Sequence, residues 1–157
     1  NMSEIKTGQP APFFEGVDQD GKKVTLADFK GKKLALYFYP KDDTPGCTAE
    51  ACSLRDNYDI LTKNGIVVIG VSADSQASHQ KFKTKHQLPF TLISDSEKKM
   101  LKDYNAWGEK SMYGRKYEGI LRKTYLIDEK GVIAHIIEKV DTKNHAKQIS
   151  QLLMTND

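Results

Sequence analysis

"LALYFYPKDDTPGCTAEACSLRD", residues 34–56, decides the fold. Leu34 to Tyr39 form an unbroken apolar and aromatic run, the pattern of a strand buried on both faces. Pro40 ends it. Thr44 suits a helix N-cap, Pro45 the first helical position, and Gly46 and Cys47 complete the first turn. That helix is expected to run from Pro45 to about Lys63, closed by Asn64-Gly65. "IVVIGVS" (66–72) is a second buried strand, rich in β-branched residues. The resulting β-loop-α-β unit is expected to be parallel and right-handed. In open sheets of this kind chemistry gathers beyond the carboxyl ends of the strands, and residues 40–46 lie at such an end.

Upstream, "APFFEGVDQDGKKVTLADF" reads as short extended pieces with a turn at Asp20-Gly21. Downstream, a helix is expected over about 75–86, a short strand around "TLIS", and a helix over 95–106 capped by an acid. Residues 107–121, with three glycines and no periodicity, read as a long loop. "RKTYLIDEKGVIAHII" is a hairpin turning at 128–131, and "TKNHAKQISQLLM" a closing amphipathic helix. The chain has no internal repeat and no linker. The order predicts one α/β domain, a thioredoxin-like three-layer α/β/α sandwich with a central mixed sheet. An Asn precedes the first Met, so Met2 is expected to be the natural start and the domain to span residues 2–157.

At 157 residues, with 38% hydrophobic and 29% charged, the chain can bury its own core. Its net charge is only +3, and lysines scattered among acids describe solvated faces, so no nucleic-acid partner is expected. No run approaches the ~18 apolar residues of a membrane span, so no membrane association is expected either. The N-terminus lacks the basic and apolar regions of a signal peptide, which predicts a cytoplasmic protein. In a reducing cytosol, two clustered cysteines are redox or metal groups more readily than a structural staple.

Those cysteines, Cys47 and Cys52, are the only two in the chain. Cys47 falls at the third helical position, among backbone N–H groups without intrahelical partners, where an anion is favoured. The thiolate is the reactive form of cysteine. Most free cysteines are merely small buried hydrophobes. The helix start, the flexible Gly46, the polar loop before it and the second thiol all argue against that here. Five helical residues give about 7.5 Å of rise and about 140° of rotation, hence a Cα–Cα distance near ~8.7 Å. A disulfide needs less than about 7 Å. Either the two thiols never bond, or oxidation is coupled to unwinding of the first turns, which fray easily.

The Thr44 hydroxyl lies within one turn of Cys47 and can donate and accept. Glu50 would disfavour a thiolate by like-charge repulsion unless a cation intervenes. Arg55 is near in sequence but about 80° further round the helix, so an arginine from elsewhere could serve. His79, His86, His135 and His145 show no ligand spacing and read as surface or strand residues.

"YFYPKDDTPGCTAEACSLRD" closely resembles the active-site segment of peroxiredoxins, specifically the peroxiredoxin Q or bacterioferritin-comigratory-protein subfamily. The family's P-x-x-x-T-x-x-C stands here as Pro40, Thr44 and Cys47, and the subfamily's second cysteine as Cys52. "GILRKTYLIDEKGVI" resembles the later segment whose arginine opens a strand, here Arg122. The likeness runs from "GQPAPFF" to the last helix.

The resemblance implies a thiol peroxidase acting on hydrogen peroxide and organic hydroperoxides in antioxidant defence. Cys47 would be the peroxidatic nucleophile that becomes a sulfenic acid. Cys52 would resolve it as an intramolecular disulfide, recycled by thioredoxin or a similar dithiol donor. Pro40 would shield the sulfur, Thr44 hold the peroxide, Arg122 stabilise thiolate and leaving oxygen, and Glu50 orient the arginine. No metal or other cofactor is implied, and a monomer is expected. Two other classes remain. A copper chaperone of thioredoxin fold would need a further ligand, for which His135 is the plausible candidate, and a redox-interaction module would keep its function without either thiol.

Overall fold

A computed structural model describes residues 4–154. Met2 and the expected domain limits at 2 and 157 lie outside them. Seven strands form one sheet: β1 (Glu15–Asp18), β2 (Lys23–Thr25), β3 (Lys33–Phe38), β4 (Ile66–Ser72), β5 (Thr91–Ser94), β8 (Lys123–Ile127) and β9 (Ile133–Ile137). Their order is β2-β1-β5-β4-β3-β8-β9. The central pairs β3–β4 and β4–β5 are parallel, and the flanking pairs are antiparallel. The sheet is therefore mixed, and the fold is thioredoxin-like.

The alternation of β3 explains the layers. Ala35 and Tyr37, with Tyr39 just beyond, face one core with Cys47, Ala51 and Leu54 of α1 (Pro45–Asp56). Leu61 of α2 (Tyr58–Lys63), Phe82 of α3 (Gln76–His86) and Ala146, Ile149 and Leu153 of α5 (His145–Leu153) share that core. Leu34, Leu36 and Phe38 face the other, under α4 (Lys99–Asp103), the N-terminal segment and Ile120. Four helices thus cover the first face, while α4, a 3-10 turn at Leu26–Phe29 and extended chain cover the second. At the sheet centre a Cβ on Gly70 would come within 2.9 Å of the Tyr37 ring, so a side chain there would displace that aromatic from β4.

Three expectations need correction. The helix expected over 45–63 is two helices, because Asn57 leaves the helical conformation and its side chain donates to Ser53 O at 2.8 Å. The helix expected over 95–106 shrinks to 99–103. Lys98 adopts a left-handed φ of 66°, and the Asp95 carboxylate caps the segment by accepting from Leu101 N at 2.8 Å. Residues 107–121 are not a loop but a hairpin, β6 (Trp107–Met112) against β7 (Arg115–Ile120). Tyr113 and Gly114, with φ of 53° and 79°, make its two-residue turn. Both strands are largely exposed, so no apolar alternation marks them.

Candidate active site

The site forms where β3 ends. The turn 40–44 delivers the chain into α1, whose N-cap is Thr44 and whose first residue is Pro45, which puts Cys47 at the third helical position. Cys47, Glu50, Ala51 and Leu54 recur at helical spacing and are the buried residues of α1. The thiol therefore points into the protein and is only 1% exposed, beneath a helix terminus that favours an anion.

Arg122, immediately before β8, supplies the positive charge. Its Nη2 donates to Cys47 Sγ at 3.3 Å and its Nη1 to Glu50 Oε1 at 2.6 Å. One guanidinium thus faces both the thiol and the neighbouring carboxylate. Gly46 makes room for it, since a Cβ there would meet Arg122 Nη2 at 3.3 Å.

Behind Glu50 stands His145, the first residue of α5, fully buried. Gln148 Oε1 accepts from Asp141 N while its Nε2 donates to Lys139 O, so the amide carbonyl faces the imidazole. His145 Nδ1 therefore carries the hydrogen and donates to Gln148 Oε1 at 2.7 Å, leaving Nε2 to accept from Thr124 Oγ1 at 2.7 Å. Burial pushes the His145 ring down to about 4, so it is neutral at pH 7. Glu50 Oε2 lies 3.4 Å from that neutral Nε2 and has no hydrogen-bond partner. Burial, opposed by Arg122, brings the Glu50 carboxyl up to about 7. The site thus holds two acidic groups, Cys47 and Glu50, for a single adjacent guanidinium.

Thr44 occupies the N-cap without a side-chain cap bond, its hydroxyl donating instead to Lys41 O at 2.9 Å while its lone pairs remain available to a ligand. Pro40 is half-buried in the turn. Cys52 is half-buried on α1, off the face that carries Cys47, and both thiols are free. Because residues 47 to 52 lie in one intact helix, their ideal Cα separation stays near ~8.7 Å. Arg55 turns away, donating to Asp56 and to His86 O. His135 lies in β9, half-buried, as a strand residue, and His86 is half-buried at the end of α3. The reading of His79 and His145 as surface or strand residues is corrected: both are helical and fully buried.

Residues 7–136 match the AhpC/TSA family. The chain belongs to that family. Among its AhpC/TSA relatives, a putative peroxiredoxin bcp of Coxiella burnetii is 49% identical over 145 residues, covering 92% of this chain and 96% of that protein. Peroxiredoxin Bcp of Bacillus subtilis is 46% identical over 149 residues, 95% of each chain. Among solved structures, a Xylella fastidiosa PrxQ cysteine-to-serine variant superposes with a TM-score of 0.89 at 31% identity, over 95% of each chain. The bacterioferritin comigratory protein of Xanthomonas campestris, solved as a trapped intermediate/ligand complex, gives 0.87 at 32% identity over 94% of this chain and 97% of that one. This peroxiredoxin is accordingly a thiol peroxidase, an oxidoreductase that turns over peroxides with a thiol reductant.

Three residues of this neighbourhood carry no signal of it in the sequence. Asp42 was legible only as part of a polar loop, and His79 and His145 carry no spacing that links them to Cys47. The two histidines reach this neighbourhood only through tertiary packing, from α3 and α5. Among the described residues, the one group of three possible metal ligands is Asp42, Asp74 and His79, which includes no thiol.

Proposed function

We propose that Cys47 is the peroxidatic thiolate and Cys52 the resolving thiol of a single peroxidase domain spanning residues 2–157. The observation that carries the reading is the Arg122 guanidinium, donating at once to Cys47 Sγ and Glu50 Oε1. The thiolate attacks one peroxide oxygen, the O–O bond breaks, and the sulfur becomes a sulfenic acid. The leaving oxygen takes a proton and departs as water or an alcohol. Arg122 stabilises the thiolate before attack and the charge on the leaving oxygen during it. Glu50 orients the arginine, Thr44 accepts a hydrogen bond from the peroxide, and Pro40 keeps water from the sulfur.

Cys52 then attacks the sulfenic sulfur, forming the disulfide and releasing water. An ideal helix separates the Cα atoms by about 1.7 Å more than a disulfide allows, so α1 unwinds over its first turns for this step. Thioredoxin or a similar dithiol donor reduces the exposed disulfide. Hydrogen peroxide and organic hydroperoxides are the proposed substrates. The likeness to the Xanthomonas campestris protein, whose structures were solved for its alkyl peroxide reduction activity, supports the second class. We read the chain as a cytoplasmic monomer. No helix among the described residues is long and apolar enough to cross a membrane.

Peroxide consumption with a thioredoxin system, comparing the wild type with each cysteine variant, tests these roles. Cys47→Ser should fall to the uncatalysed background. Cys52→Ser should still react once with peroxide and then stall or depend on another thiol. A first turnover as fast in Cys47→Ser as in the wild type would overturn the assignment.

A further inference from the structure

The turn that delivers Cys47 is tied down from outside the reactive site. The Asp42 side chain, 7% exposed, is held by three donors. Tyr39 OH donates to Oδ1 at 2.6 Å, Ser78 Oγ donates to Oδ2 at 2.8 Å, and His79 Nδ1 meets Oδ2 at 2.7 Å. The backbone N–H of Asp42 donates to Asp74 Oδ2 at 2.8 Å, and Asp74 is fixed by Ser72 Oγ at 2.7 Å. The other ring nitrogen of His79 lies 2.9 Å from Ile93 O, which only accepts, so Nε2 carries a hydrogen. A second proton stands between Nδ1 and the Asp42 carboxylate. Both oxygens of Asp42 and both ring nitrogens of His79 are thus engaged in hydrogen bonds.

The same helix holds the next residue. Asp43, at a left-handed φ of 62°, pairs with Lys85 at 2.8 Å and His86 at 3.1 Å. Thr44 Oγ1 closes the turn onto Lys41 O, and Arg55 at the far end of α1 donates to His86 O at 2.8 Å. So α3 grips the approach to α1 and its last turn, while the first turn itself lies between those grips. None of these groups is the donor to Cys47 Sγ, which is Arg122, yet together they fix the turn from which α1 begins.

We propose that Asp42 and His79 form a latch that biases α1 toward its wound, peroxide-reactive form, with His79 a positioning residue of the peroxidase reaction. This rests on the peroxidase reading and adds a separate claim. The two steps at Cys47 want opposite conformations, peroxide attack the wound helix and disulfide formation the unwound one. Loosening the turn should therefore slow the first step and speed the second, whereas general damage slows both.

The side-chain chemistry supplies a discriminating pair of variants. An asparagine amide can stand where Nδ1 stands and keep the bond to Asp42, while a glutamine amide reaches the Nε2 position and Ile93 O. For His79→Gln we expect the ratio of wound to unwound α1 to fall roughly tenfold, the scale of one hydrogen bond to a charged group, and peroxide oxidation of Cys47 to slow in proportion to the wound fraction lost. Disulfide formation should accelerate, and less sulfinic acid should accumulate at high hydrogen peroxide. His79→Asn should restore the wild-type ratio of the two rates. Tyr39→Phe, which deletes one donor to Asp42 and keeps the ring, should shift both rates in the same directions by a smaller factor and serves if His79→Gln does not fold. Rapid quench with thiol alkylation and mass analysis reads both steps in each protein. If His79→Gln or Tyr39→Phe slows both steps together, or leaves both unchanged, or if glutamine rescues better than asparagine, the latch is wrong. Failure of the wild type itself to consume hydrogen peroxide would instead remove the peroxidase reading.

Discussion

Two buried carboxylates lie on either side of the first turn of α1, and their surroundings are opposite. Asp42 has donors on both oxygens, from Tyr39, Ser78 and His79. Glu50 has Arg122 on Oε1 and nothing on Oε2, although it is fully buried. A buried polar group normally finds its partners, and leaving one without them costs about 1–3 kcal/mol. The satisfied cluster contains no reactive atom and is built to stay in place. The unsatisfied one shares its only cation with a thiol, so protons and charge can be redistributed within it. The contrast separates a part that holds from a part that reacts.

Removing the shared cation should have the largest effect. Arg122→Met keeps much of the side chain's length and deletes its charge and donors. Peroxide oxidation of Cys47 should fall by about 10²–10³, the usual loss for a donor aimed at developing charge. Thiolate absorbance at neutral pH should fall with it. Unchanged rate and absorbance would mean that Arg122 only fills space beside the thiol.

A second effect concerns what each region does on oxidation. Peroxide-treated protein carrying the 47–52 disulfide should lose amide protection from about Thr44 to Leu54, with exchange faster by roughly tenfold to a hundredfold as the helical bonds open. The strand residues 34–38, hydrogen-bonded on both sides, should keep theirs. Equal protection of α1 in both redox states, with the disulfide formed, would rule out unwinding.

How far all this was legible follows from which forces act locally. The strand at 34–39, the turn, the N-cap and the third-position cysteine are written in a continuous run of sequence, because strand burial and helix initiation are set by near neighbours. The parallel β3–β4 pairing follows from the same run. What stayed hidden depends on distant contacts or on exposed chain. The hairpin 107–120 has no buried face to impose alternation, and only its Tyr113-Gly114 turn could have betrayed it. The break at Asn57 depends on one side chain reaching back to Ser53 O. His79 and His145 look like ordinary helical polar residues until α3 and α5 are packed onto the sheet. The sequence posed the Glu50 question, a carboxylate beside a thiol, but the unpartnered Oε2 could be seen only in three dimensions.

The Glu50 cluster also predicts an opposition in how stability depends on pH. The folded chain holds the Glu50 carboxyl at about 7, above its ordinary 4.5, so between those values it keeps a proton that the unfolded chain releases. That contribution is fully present below 4.5 and is lost as pH rises through 7, with a slope of at most about 1.4 kcal/mol per pH unit. His145 does the reverse. Its folded value near 4 lies below the ordinary 6.5, so its contribution is present above 6.5 and lost as pH falls toward 4. From about pH 4.5 to 6.5 the two slopes oppose and largely cancel. Urea unfolding at pH 5 and 6.5 separates them: relative to the wild type, Glu50→Gln should gain stability as pH rises and His145→Asn should lose it. Parallel pH dependences in all three proteins would show that neither group titrates as described.

The smallest effect tests how tightly the reactive cluster is fitted. Gly46 lies at the second position of α1, and a methyl group there would meet Arg122 Nη2 at 3.3 Å. That contact is tighter than ordinary van der Waals distance, but the atom it meets is the far end of a long side chain. The guanidinium should therefore yield by a few tenths of an ångström rather than the helix breaking. Alanine also favours helix over glycine by up to about 1 kcal/mol, less at a first turn than in an interior. Gly46→Ala should thus raise thermal stability slightly while moving the donor away from Cys47 Sγ. Since a displacement of about 1 Å can cost 10²-fold, one of a few tenths should slow peroxide oxidation by roughly twofold to fivefold. Disulfide formation should slow as well, because the stiffer first turn unwinds less readily. Stopped-flow oxidation and thermal melts read the opposing signs together. A peroxide rate equal to the wild type in a more stable protein would show that Arg122 tolerates displacement, and that the cluster is looser than its distances imply.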